Sequence, residues 1–148
     1  MKIIKGNTFT DARGTLRFVN DFHFEGIKRF YTITHPDTSV IRAWQGHKIE
    51  SKHFFVTKGK FLICWIAIDN WENPGKNLKV NQQILSADEP QMLIIPAGNA
   101  NGFQALEPEA QLIVFSDLTL EEAKDDDYRW EKDYFSGWDN AFHSVPQS

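Results

Sequence analysis

The chain has 148 residues, 41% of them hydrophobic, and a formal charge of −4. That length fits one domain with a core large enough to need no disulfide or metal staple, and a single cysteine, Cys64, excludes an intrachain disulfide framework. The opening Met1-Lys2-Ile3-Ile4-Lys5-Gly6 is too short and polar for a signal peptide, and no apolar run reaches membrane-span length, so the expected setting is a reducing cytoplasm.

In chain order, residues 9–14 (Phe9-Thr10-Asp11-Ala12-Arg13-Gly14) read as a turn, followed by a short strand over 15–20. A strand over 27–34 ends at the turn signal His35-Pro36-Asp37. Residues 40–44 are short and extended. Residues 54–56 and 60–69 form a hairpin about Lys58-Gly59, and Cys64 within it reads as a buried thiol. Residues 71–76 are a loop. Further strands cover 78–85, 91–95 and 110–116, and Pro96 to Phe103 reads as a turn-rich joint between two of them. Residues 120–134 have helical character with a long acidic face. Asp125-Asp126-Asp127 reads as solvated rather than metal-binding, because successive carboxylates on a helix point in different directions. Many short strands at this spacing indicate a sandwich or barrel. The domain is expected over residues 1–135, with 136–148 as a C-terminal tail.

Charge is unevenly spread. Residues 1–60 hold eleven Lys+Arg against five Asp+Glu, whereas 117–139 hold nine Asp+Glu against three Lys+Arg. The first half can therefore present a positive field to a phosphorylated ligand. Without a basic helix or zinc-finger spacing, nucleic acid is not the expected partner, and neither is a membrane.

The segment Arg42-Ala43-Trp44-Gln45-Gly46-His47-Lys48-Ile49-Glu50-Ser51-Lys52 concentrates the chemistry. Arginine grips phosphate or carboxylate through a planar fork. Histidine titrates near neutral pH and serves as a general base. Trp44 and the apolar runs on either side argue against a fully solvated edge.

Lys28-Arg29-Phe30-Tyr31 followed by Arg42-x-x-Gln45-x-His47-Lys48 resembles the nucleotide-sugar 3,4-ketoisomerases, small cupins that act on dTDP-4-keto-6-deoxyhexoses. Ser116-Asp117 and the run from Asp127 to Phe135 are similar to the C-terminal pattern of that family. Asp11-x-Arg13-Gly14 and Pro96-x-Gly98-x-Ala100-x-Gly102-Phe103 resemble motifs of the related dTDP-4-dehydrorhamnose 3,5-epimerases. The resemblance implies an all-β, cupin-type antiparallel β-jelly roll (a double-stranded β-helix) with a C-terminal helix. It also implies a homodimer and a place in polysaccharide biosynthesis.

The departures are as specific as the matches. The ketoisomerase pattern has two histidines where this chain has Gln45 and His47. The late epimerase motif has a histidine at the position of Asn101, and the epimerase tyrosine falls near Val114 or Phe115. A 3,5-epimerase needs a base on one face and an acid on the other. Ketoisomerisation passes through an enediol between adjacent carbons, which one base can serve.

Metal-dependent cupins use His-x-His, a glutamate and a further histidine. Gln45, His47, Glu50 and Asn101 fall short of that set, and His53 shares a face with His47 only if the strand between them is unbroken. No metal or organic cofactor is therefore expected. The resemblance casts His47 as the base and Tyr31 as proton donor or orienter. Arg42 and Lys52 would hold the diphosphate or the developing enolate oxygen, and Arg13, Gln45 and Asn101 would be further substrate-binding residues. The ligand is expected to be a nucleotide-linked 4-keto sugar. The competing reading is a non-catalytic cupin that binds a sugar or nucleotide without turning it over.

Overall fold

The computed structural model describes residues 1–135 and Trp138; the expected tail, Trp138 apart, lies outside the described residues. In chain order the strands are β1 (Lys2–Lys5), β2 (Asn7–Asp11), β3 (Gly14–Phe18), β4 (Arg29–Ile33), β5 (Ile41–His47) and β6 (Lys52–Lys58). They continue as β7 (Lys60–Ala67), β8 (Asn81–Ser86), β9 (Gln91–Ile95), β10 (Asn99–Ala105) and β11 (Gln111–Ser116). The helix α1 (Leu120–Ala123) and the short β12 (Tyr128–Arg129) close the order. Two five-stranded antiparallel sheets result, ordered β1-β9-β6-β11-β4 and β12-β5-β10-β7-β8, and β2 and β3 form a separate hairpin.

Alternation in the sequence builds the interface between the sheets. Along β11, Leu112, Val114 and Ser116 are buried and their neighbours are not; along β6 the same holds for Lys52, Phe54 and Val56. Successive strand residues point to opposite faces, so each sheet turns one apolar face inward. Phe54, Phe61, Ile63, Leu93, Leu112 and Val114 form the centre of that core, all at 0% exposure. Each side chain of this kind contributes about 1.5–3 kcal/mol by leaving water.

The second sheet is buried on both faces. Its outer side packs Trp44, Leu62, Cys64 and Ile66 under Phe135 and Trp138. This is why β7 is an almost unbroken apolar run, and why burial pushes the Cys64 thiol up to about 12. The turn from β6 to β7 is made at Gly59, whose φ of 71° is the left-handed region that glycine reaches without strain. The two strands lie in different sheets, so the expected hairpin about Lys58-Gly59 is instead a crossing from one sheet to the other.

Several elements differ from the sequence reading, among them the unexpected strands β1 and β12. Residues 99–105, expected as a joint, form β10, which is hydrogen-bonded to both β5 and β7. Two asparagines and a glycine give this segment poor intrinsic strand preference, but its position at the centre of a sheet overrides that. The stretch 9–14 is not only a turn; it belongs to a longer hairpin whose strands pair from Asn7 with Phe18 to Asp11 with Gly14.

A helix does lie within 120–134, but it spans only Leu120–Ala123, opened by a Thr119–Glu122 capping box. It stops because Asp126 is drawn elsewhere. The Asp126 carboxylate accepts the backbone N–H groups of Lys48, Ile49 and Glu50 at 2.7, 2.9 and 2.8 Å. Asp126 is 2% exposed, so the expectation of a solvated acidic face fails at this residue. Among the described residues, no helix is long and apolar enough to cross a membrane.

Candidate active site

β5 carries three polar residues into the space between the sheets because its register slips. Gln45 pairs with Asn101 and Arg42 with Phe103, so three β5 steps oppose two on β10. Without that bulge, Arg42 and Gln45 would point to opposite faces; with it, Arg42, Gln45 and His47 share one. Glycines permit the close packing around this slip: a Cβ on Gly46 would sit 2.7 Å from the Trp130 ring, and one on Gly102 would sit 2.6 Å from the Ala43 Cβ.

His47 is 3% exposed. Its Nδ1 lies 2.8 Å from the Asp126 carbonyl oxygen and 3.1 Å from Glu50 Oε1. A carbonyl only accepts, so Nδ1 carries the proton of the neutral ring and donates it there. Nε2 is left as the basic atom, buried and without a hydrogen-bond partner among the described residues. Burial holds the ring's pKa below its ordinary 6.5, and the nearby Lys52 ammonium pushes the same way. The Asp126 carbonyl and the Glu50 and Asp126 carboxylates push in the opposite direction without prevailing. A neutral imidazole with one free nitrogen is what a general base requires.

Sequence reasoning offers Glu50 only as a weak ligand candidate, yet its side chain is completely buried behind the ring. Its Oε2 accepts from Arg29 Nη2 at 2.9 Å and from the Ser116 hydroxyl. Asp127 is a second residue that sequence reasoning misses. Its carboxylate accepts from Gln45 Nε2 and from Arg129 Nε, both at 3.1 Å. Burial alone would raise its pKa, but these hydrogen bonds outweigh it and the net shift is downward. The one signal available in sequence is the placement of three aspartates a few residues past the last long strand.

His47, Glu50, Lys52, Gln45, Tyr31 and Arg42 all line one cavity of about 270 Å³, capped by Leu120 and Ala123 of α1. Lys52, 5% exposed, donates to Gln45 Oε1 at 3.1 Å, and its Nζ stands 5.9 Å from the Tyr31 ring centroid. Tyr31 pairs directly across from Val114, so a phenol stands one strand over from the position where the epimerase pattern would have one. A larger cleft of about 600 Å³ adjoins. It shares Arg42, Gln45 and Arg129 with the first and adds Asn101, Phe103, Trp130 and Tyr134.

Two residues fall elsewhere. Arg13 sits at the tip of the β2–β3 hairpin, 86% exposed and paired with Asp11 at 2.7 Å, and it lines neither cavity. His53 lies on the far face of β6, where its ring meets Phe22 at 5.5 Å, because the turn at 48–51 breaks the strand between it and His47. Among the described residues, no group of three or more His, Cys, Asp or Glu side chains is placed to hold a metal ion.

Comparison with known families places this arrangement. The family model described as dTDP-4-dehydrorhamnose 3,5-epimerase, of the dTDP-sugar isomerases, matches residues 1–141. The chain belongs to this family. No curated protein matches it. Solved structures of the family are similar in fold. The dTDP-4-dehydrorhamnose 3,5-epimerase from Bacillus anthracis, solved with TDP and pyrophosphate, has a TM-score of 0.72 at 17% identity over 97% of this chain and 91% of that one. The Sulfolobus tokodaii epimerase gives 0.72 at 23% identity over 97% and 88%. A point variant of the 3,4-ketoisomerase QdtA from Thermoanaerobacterium thermosaccharolyticum, in complex with TDP-4-keto-6-deoxyglucose, gives 0.68 at 21% identity over 99% and 96%. The family's fold is the antiparallel jelly roll expected from the motifs, and these relatives include both 3,5-epimerases and a 3,4-ketoisomerase.

Proposed function

We propose that this member of the family is a cytoplasmic isomerase or epimerase of a nucleotide-linked 4-keto-6-deoxy sugar, with His47 as its base. The observation that carries the reading is the free, buried Nε2 of His47 on a ring whose Nδ1 is already committed to the Asp126 carbonyl. Nε2 takes the proton from the carbon beside the ketone. The released electron pair forms a carbon–carbon double bond, and negative charge gathers on the ketone oxygen. Lys52 and Arg42 supply fixed positive charge to the same cavity, which stabilises that oxygen as the charge develops. The imidazolium then returns the proton. Delivery to the original carbon from the same face gives exchange, and epimerisation follows where a separate acid protonates the opposite face instead. Delivery to the former carbonyl carbon, with the neighbouring hydroxyl proton passing to the ketone oxygen, gives the ketoisomer. Tyr31 lines the same cavity, which supports a role for it in donating or orienting a proton. The adjoining cleft, with Arg42 and Arg129 on its wall, suits the diphosphate and the nucleoside.

The test is exchange of the sugar's carbon-bound hydrogen in heavy water across a panel of dTDP-4-keto sugars. Because His47 must be neutral to act, and its pKa is held below 6.5, the exchange rate rises with pH and reaches half its plateau below 6.5. A half-maximum well above 6.5 would remove His47 from the role of base.

The protein works as a homodimer in this reading. The β2–β3 hairpin is exposed along nearly its whole length, with Phe9 at 53% and Leu16 at 65%. A lone two-stranded hairpin is marginal in water, so a second copy is the natural cover. The partner's cavity is then the place for a tip cation, Arg13, that this chain's own cavity does not receive. Sedimentation equilibrium is expected to give twice the chain mass, and the double substitution Phe9→Asp with Leu16→Asp is expected to shift it to the monomer.

A further inference from the structure

We infer that Gln45, which stands where the ketoisomerase pattern has a histidine, is a positioning residue: its amide bridges the Lys52 ammonium and the Asp127 carboxylate, fixing Lys52 beside His47. The inference rests on the proposed reaction for its consequence in rate, but not for its geometry. Both ends of the amide are used. The oxygen accepts from Lys52 Nζ at 3.1 Å and the nitrogen donates to Asp127 Oδ1 at 3.1 Å. An amide presents an acceptor and a donor at once, and it cannot be protonated near neutral pH. An imidazole at this position would add a second titrating group to the pocket. The amide instead ties a buried cation on β6 to the acidic segment before β12.

Lys52 needs such a tie. It is 5% exposed, its stem is long and flexible, and its ammonium meets an amide oxygen and the Tyr31 ring. A buried ammonium is stable only where its donors are satisfied. The Gln45 oxygen satisfies one of them and sets the direction in which the charge points. Asp127 is in turn held by Arg129, so the line Arg129–Asp127–Gln45–Lys52 runs from the large cleft to the base.

His47 reports on this arrangement. The ring is faced by Lys52 from β6, by Glu50 from the turn, and by Asp126 and Asp127 from the segment before β12. Arg29 and Tyr31 of β4, Arg42 of its own strand, Lys124 and Arg129 complete the polar wall of the cavity. Of these, Lys52 is the cation that lowers the ring's pKa. If Gln45 is removed, the ammonium is no longer fixed beside the ring and that depression lessens.

The experiment compares wild type, Gln45→Ala, Gln45→Glu and the double variant Gln45→Glu with Asp127→Asn. The first readout is the His47 titration followed by NMR on the free protein. The second is deuterium exchange on a dTDP-4-keto sugar. Gln45→Ala is expected to move the His47 titration up toward 6.5 and to slow kcat for exchange about 10²-fold, the scale of a misplaced catalytic group, with KM little changed. Gln45→Glu places two carboxylates side by side and is expected to remain slow. The double variant restores the bridge with its chemistry exchanged, an amide at position 127 donating to a carboxylate at position 45, and is expected to recover most of the exchange. A His47 titration in Gln45→Ala identical to wild type overturns the inference, as does a double variant no faster than Gln45→Glu. A wild type that exchanges no sugar, with the titration shifted as expected in Gln45→Ala, overturns the proposed reaction and leaves the positioning role standing.

Discussion

His47→Ala is expected to abolish exchange of the sugar's hydrogen while leaving affinity for dTDP within a factor of about two. Removing a general base typically costs about 10²–10⁴ in rate. Affinity is spared because His47 lines the small inner cavity and is absent from the wall of the larger cleft, where the nucleoside diphosphate is proposed to sit. Arg42→Ala should differ by weakening dTDP binding as well as slowing exchange. Arg42 lines both cavities, and a charge-assisted contact to phosphate is worth about 1.5–3 kcal/mol, which weakens dTDP binding roughly tenfold to a hundredfold. The paired measurement, exchange rate and dissociation constant on both variants, separates the roles. Wild-type exchange in His47→Ala would dismiss the catalytic assignment. Tight binding of every tested sugar with no exchange in any variant, wild type included, would favour a binding cupin.

Asp126→Ala is expected to be among the most destabilising single substitutions in the chain, at about 3–5 kcal/mol. Three backbone N–H groups, on Lys48, Ile49 and Glu50, converge on this one buried carboxylate. Hydrogen bonds to an ionised acceptor contribute about 1.5–3 kcal/mol each, and donors left unsatisfied cost about 1–3 kcal/mol each. The Glu50 amide is buried, so water cannot readily replace the carboxylate there. Asp126→Asn keeps one acceptor oxygen and should lose less than half as much. Urea denaturation of the two variants gives both numbers directly. The same carboxylate holds the turn that brings Glu50 behind the His47 ring, so Asp126→Ala should also impair exchange in whatever fraction remains folded. A loss below about 1 kcal/mol would mean that the turn holds itself without the acidic segment.

The two results bear on one design. His47 is not positioned by its own strand alone. The segment leading to β12 supplies a carbonyl to His47 Nδ1, a carboxylate to the turn at 48–50, and a second carboxylate to Gln45. Two of three consecutive aspartates thus support a site whose proposed substrate is anionic. They can do so because each carboxylate in contact with the site is matched to donors: backbone amides for Asp126, and an amide and a guanidinium for Asp127.

Much of this was legible in the chain because it depends on period and local chemistry. Alternation in residues 110–116 and the apolar run at 60–69 specify strands whatever surrounds them, and Lys58-Gly59 specifies the turn between. The order of Arg42, His47 and Lys52, with Tyr31 before them, named four of the residues that line the inner cavity, since a basic segment flanked by apolar strands has few places to go in a β-sandwich.

What the tertiary structure alone decided is what depends on contacts distant in sequence. Residues 99–105 became a strand because β5 and β7 lie on either side and complete its hydrogen bonds, although asparagine and glycine disfavour a strand on their own. The expected long helix shrank to Leu120–Ala123 because Asp126 gains more from three amides of a turn 76–78 residues away than from another helical turn. Glu50 entered the site and His53 stayed out of its cavity because the break at 48–51 resets which face a side chain takes. Asp127 entered through its hydrogen bond from Gln45, and Arg13 stayed out because it lies at the tip of the separate β2–β3 hairpin. Composition and spacing determined which groups this protein possesses; only the slip of one strand against another determined which of them meet.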